Sequence, residues 1–182
     1  MKDRILQVVA ENINMYGLKK FNLDIIASEL KISKKTIYKY FSNKDEIVEE
    51  YFKQILATDK ESTLKTLKEN ISLNEKFHKI IYSYHKYKLP TSVIKEAKLY
   101  YPNQWNEINK LKEFKVEAIL NLLVEAKRRG EIKEEINITI IALIIEKVSE
   151  ELLDSNILKE KNLKLNYTAD QILQVILNGI LR

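Results

Sequence analysis

Apolar residues in the first fifty positions recur at intervals of three and four. Ile5, Val8, Val9, Asn12 and Ile13 share one stripe, which predicts an amphipathic helix from Lys2 to Tyr16, with Gly17 as its C-terminal cap. A second helix follows Asn22, a good N-cap, and puts Leu23, Ile26, Ala27 and Leu30 on its inner face. Only Lys31 and Ile32 separate it from Ser33, which can cap a third helix running from Lys34 to about Tyr40. Ser42 can cap a fourth, with Asp45 three residues on in a capping-box arrangement, and no Pro or Gly interrupts that helix before about Asn70.

The same period continues to the end of the chain. A fifth helix, about Leu73 to Leu89, aligns Leu73, Phe77, Ile80, Ile81 and Tyr84. Pro90 and Pro102 mark the starts of two more, Thr91 to Leu99 and Pro102 to Arg129, the latter closed by Gly130. In the seventh helix Val116, Ile119, Leu120, Leu122, Leu123 and Val124 occupy most of the circumference, and Glu117, Asn121 and Glu125 form the remaining polar strip. Ile138 to Ile145 is similarly apolar in an eighth helix, and a ninth aligns Ala169, Ile172, Leu173, Ile176 and Ile180. A helix apolar nearly all round is buried. These helices have more apolar surface than one small bundle covers, so part of it is expected to face a partner. About nine helices and no strand pattern give an all-α protein, and three Gly and two Pro among 182 residues agree with long elements and few turns.

Charge changes the picture at one place. The stretch from Lys19 to Lys44 holds seven lysines and two acids, a surplus of five that equals the formal +5 of the whole chain. A clustered basic segment is the footprint of a polyanion partner. It also fits a solvated lysine-rich face, and spacing alone does not separate the two.

Other chemistry is sparse. Without Cys there is no disulfide, thiolate metal site or Cys nucleophile. His78 and His85, the only histidines, lie about 10 Å apart along one helix and cannot share a metal ion without a bend. No glycine-rich phosphate loop or nucleophile elbow occurs, so neither an enzyme nor a cofactor is expected. Asp3 and Glu11 interrupt the N-terminal apolar pattern, which excludes a signal peptide, and no apolar run could span a bilayer. The expected location is the cytoplasm, with no membrane partner.

The second and third helices, joined so tightly, form a helix-turn-helix whose second helix enters the major groove of DNA. Ile37 and Phe41 face inward; Lys34, Lys35, Thr36 and Lys39 face outward, flanked by Tyr38 and Tyr40. Lys44 sits in the first turn of the fourth helix, where free N–H groups favour an anion. The run YGLKKFNLDIIASELKISKKTIYKYFSNKDEI, Tyr16 to Ile47, resembles the DNA-binding region of the TetR family of transcriptional regulators. The matching positions are Tyr16-Gly17, Phe21, Ile26-Ala27, Ser33, Ile37-Tyr38-x-Tyr40-Phe41 and Lys44. Two departures stand out. Members often carry Gly where Lys31 stands, so strain is expected there if the lysine is left-handed. The residues at Lys34, Lys35 and Lys39 vary between members.

The resemblance implies a DNA-binding domain over residues 1–48 and a larger helical ligand-binding and dimerisation domain over 49–182. It implies base reading by the middle of the third helix and phosphate contacts from Asn22, Tyr38, Tyr40 and Lys44, and Ser33 completes the DNA-facing set. An aromatic-rich middle suits a pocket for a mostly apolar effector; its candidate residues are Phe77, Ile81, Tyr84, His85, Tyr101, Trp105, Phe114, Glu117 and Asn121. If Glu117 or Glu146 faced that pocket, a cationic ligand would fit. The last two helices are implied to pair with their twofold mates through Ile141, Ile145, Val148, Leu152, Ile172, Leu173, Ile176 and Ile180. The expected protein is thus a homodimeric repressor that binds palindromic double-stranded operator DNA and is released by a small molecule. The alternative is an all-helical ligand carrier or interaction module whose basic segment is incidental.

Overall fold

The computed structural model describes residues 1–82, 89–154 and 157–181. These form α1 (Lys2–Tyr16), α2 (Leu23–Glu29), α3 (Lys34–Ile37), α4 (Lys44–Lys68), α5 (Leu73–Tyr82), α6 (Thr91–Tyr100), α7 (Pro102–Arg128), α8 (Ile138–Asp154), α9 (Ile157–Glu160) and α10 (Leu165–Ile180). The fold is all-α, and the only β-type pairing among the described residues is an isolated bridge between Ile132 and Leu181. The four-residue α9 is a segment that the periodicity does not separate. None of the described helices is long and apolar enough to cross a membrane.

The chain divides into two compact units. One comprises Met1–Thr58 with α6 and the start of α7 through Ile108; the other comprises α4 from Asp59, α5 and Asn109–Arg182. The core of the first joins Ile5, Val9 and Ile13 of α1 to Ile26 of α2, Ile37, Phe41 and the Ile47–Phe52 side of α4, and it includes Val93 and Ala97 of α6. The core of the second joins Phe77 and Ile80 of α5 to Ile119 and Leu123 of α7 and to Leu173, Leu177 and Ile180 of α10.

Helix ends supply the corrections. α3 stops at Ile37 rather than near Tyr40, because Lys39 and Tyr40 donate to carbonyls only three residues back, Thr36 and Ile37. That tightened turn swings Phe41 into the core, where it is buried. α4 is capped not by Ser42 but by Asn43, whose Oδ1 accepts the Glu46 N–H at 2.8 Å. The reciprocal carboxylate is that of Glu46, which accepts the Ser42 N–H, so Asp45 does not close the box. α2 ends in a Schellman motif: Ile32 N–H donates to Ala27 and Lys31 N–H to Ser28, with Lys31 left-handed at φ 54°. α7 ends the same way around Gly130, at φ 76°, with Glu131 N–H donating to Ala126.

Candidate nucleic-acid interface

Buried polar groups set the entry to α2. Asn12, buried on α1, accepts the Asn22 N–H at 3.0 Å. Asn22 Oδ1 in turn accepts the Asp24 N–H at 2.8 Å, and the side-chain NH2 of this exposed residue remains a donor. At α3 the Ser33 hydroxyl accepts the Thr36 N–H at 3.1 Å and meets the Thr36 hydroxyl at 3.0 Å. These two residues fix the start of the helix that carries the lysines.

The nine residues expected to face DNA lie at the start of α2, on α3 and its following turn, and in the first turn of α4. Asn22, Ser33, Lys34, Lys35, Tyr38, Lys39 and Tyr40 are exposed, whereas Thr36 and Lys44 are half-buried. Lys34 forms an ion pair with Asp24 at 2.7 Å, so part of its charge is already answered by α2. Tyr38 and Tyr40 expose their rings beside Lys35 and Lys39, where each phenol can reach a phosphate oxygen.

Lys44 is held on two sides. Its ammonium lies 4.1 Å from the centre of the Phe21 ring and donates to the Lys19 carbonyl at 3.3 Å. Beside it the Ser42 N–H, then the Ser42 hydroxyl and, to a smaller extent, the Lys2 ammonium hold the Glu46 carboxyl below the usual carboxylate range. Burial first, then the charges of Asp45 and Glu96, push up the phenol of Tyr101 at the junction of α6 and α7.

The effector-binding candidates separate by unit. Tyr101 and Trp105 pack against the first core. Phe77 belongs to the second core and Ile81 packs against it. Phe114 is half-buried with the Lys60 ammonium 5.1 Å from its ring centre. Glu117 and Asn121 are exposed on α7, and Glu146 is half-buried. Tyr84 and His85 lie outside the described residues. The second unit also buries Thr63 and Thr66 and largely covers Lys115 and Asp59, which pair at 2.7 Å. Burial pulls the Lys115 pKa down against the opposing pull of Asp59.

Among the residues expected to pair two copies, Leu173 and Ile180 fill the core of their own protomer, and Ile141, Ile145, Val148, Leu152, Ile172 and Ile176 are half-buried. Among the described residues, the large hydrophobic side chains left in solvent on these helices are Ile140 at 56%, Leu143 at 52% and Ile144 at 42% on α8 and Tyr167 at 59% and Val175 at 74% on α10. A run as uniformly apolar as Ile138 to Ile145 gives no polar face from which to choose the inward stripe, which is why periodicity passed over these residues. It also missed Glu96 of α6, which accepts the Leu18 N–H from 78 positions away, a separation no local pattern reveals.

Residues 5–51 match the family model described as bacterial regulatory proteins, tetR family. An uncharacterised HTH-type transcriptional regulator of Bacillus subtilis, YvaF, is 30% identical over 137 residues, covering 73% of this chain and 71% of the relative. The fatty acid metabolism regulator protein of Bacillus subtilis is 24% identical over 186 residues, covering 98% of this chain and 92% of its own. The crystal structure of FadR from Bacillus subtilis in complex with stearoyl-CoA superposes with a TM-score of 0.60 at 19% identity, covering 99% of this chain and all of that one. With a helix-turn-helix built on α2 and α3 and an all-helical remainder, the chain belongs to the TetR family of transcriptional regulators.

Proposed function

We propose that this regulator is a repressor that binds a palindromic operator as a homodimer and leaves it when a small, mostly apolar molecule binds. One observation carries the DNA-binding part: the surplus positive charge is confined to one segment, whose Lys34, Lys35, Lys39, Tyr38 and Tyr40 stand exposed on α3 and its turn, with the half-buried Lys44 at the start of α4. Pairing through α8 and α10 is supported by the exposed Ile140, Leu143, Ile144 and Val175. A twofold dimer sets two reading helices about 34–36 Å apart, one turn of the duplex. For the effector, the likeness to a fatty acid metabolism regulator and to a fold that holds stearoyl-CoA supports a long apolar chain as the recognised part.

The test is binding of the purified protein to DNA immediately upstream of its own gene, over a salt series with random DNA as competitor. Specific binding with two protomers per site and a log K that falls steeply with log salt is expected. Long-chain acyl-CoA added to that complex should release the DNA, and DNA should weaken acyl-CoA binding by the same factor. Binding no stronger than to the competitor, both here and to genomic fragments selected on the protein, would favour the carrier reading.

A further inference from the structure

Gly17 closes α1 at φ 84°, and its missing side chain leaves room for Glu96 of α6. A Cβ at Gly17 would stand 2.7 and 2.9 Å from the two Glu96 carboxylate oxygens. The carboxylate uses that opening to accept the Leu18 N–H at 2.5 Å and the Lys19 N–H at 3.3 Å. On the other side of the same residue, the Lys19 carbonyl accepts the Lys44 ammonium at 3.3 Å. A further contact runs in parallel: the Lys19 ammonium lies 5.3 Å from the centre of the Tyr100 ring.

We propose that Glu96 is a positioning residue for DNA binding, fixing the turn after α1 so that the Lys19 carbonyl holds the Lys44 ammonium in place for a phosphate. The proposal rests on the DNA-binding reading above. An ammonium has three donors, and the carbonyl takes one, leaving two for a phosphate. A lysine held this way loses less rotamer freedom when it binds than one that is free in solvent. Glu96 touches no DNA in this scheme; it acts through Lys19 and Lys44.

The experiment is a double-mutant cycle on Glu96→Ala and Lys44→Ala, read as operator affinity over a salt series with the DNA fragment selected above. Lys44→Ala is expected to weaken binding roughly tenfold and to lower the salt slope by about one. Glu96→Ala should weaken binding about three- to tenfold in the native background but less than twofold once Lys44 is gone. Thermal unfolding of each variant controls for folding. If Glu96→Ala fails to fold, Gly17→Ala, whose Cβ meets the carboxylate, takes its place in the cycle, and Glu96→Gln, which keeps an acceptor oxygen, is expected to retain most of the affinity.

Equal weakening by the Glu96 change in both backgrounds, or none in the native one, overturns the proposal. So does a Lys44→Ala variant with native affinity, because nothing would remain for Glu96 to position; the regulator reading would survive each of these results. Wild-type protein that fails to prefer any DNA would remove both.

Discussion

Two residues do the same backbone work at different cost. Lys31 and Gly130 both occupy the left-handed position of a Schellman motif, but a side chain there costs about 1–2 kcal/mol that glycine avoids. Lys31→Gly should therefore raise stability by up to about 1 kcal/mol after allowing for the greater freedom of glycine in the unfolded chain, as read by urea unfolding. Gly130→Ala should lower it by about 1 kcal/mol; no atom stands within 4 Å of its Cβ position, so strain alone is measured. Glu46 adds a pH dependence. Its folded pKa lies below the unfolded value, so the stabilisation is present above the unfolded pKa and disappears as pH falls through the folded one. Glu46→Gln should flatten that acid-side decline in thermal midpoint. At this scale Asn12 was visible as a polar residue on an apolar stripe. Its purpose was not, because the N–H it satisfies belongs to Asn22 beyond the turn.

Among the elements, sparse Gly and Pro made the helix type and every helix but the short α9 legible, and the apolar period found the inward faces of α1 to α3. Ends were harder, since a cap is decided by geometry between rival donors: Asn43 and Glu46 closed the start of α4 where Ser42 and Asp45 offered the same residue types. Pairing between elements distant in sequence was not legible at all. Lys115 of α7 and Asp59 of α4 form a largely buried ion pair, and neither position is distinctive in its own helix. Lys115→Met should cost about 3–5 kcal/mol, because the Asp59 carboxylate keeps its burial and loses that cation. Adding Asp59→Leu should recover most of the loss. Calorimetric unfolding of the single and double variants checks both.

For the molecule as a whole, residues outside Lys19 to Lys44 carry balanced charge, so attraction to DNA is assigned to one short segment. On the proposed reading, two copies associate through apolar side chains elsewhere. Leu143→Glu with Val175→Glu alters two residues already in solvent, so the protomer should keep its helicity while sedimentation shows a monomer. Such a monomer reads one half-site, and operator affinity should fall by at least tenfold. A variant that remains dimeric would place the contact on other residues. Composition holds one more consequence. The chain has a single tryptophan, Trp105, half-buried near the start of α7 with the Lys98 ammonium 5.3 Å from its ring centre. Selectively excited indole emission therefore reports on one place only, four residues beyond Tyr101. The unlabelled protein carries its own optical gauge of whether that corner shifts when DNA or effector is added.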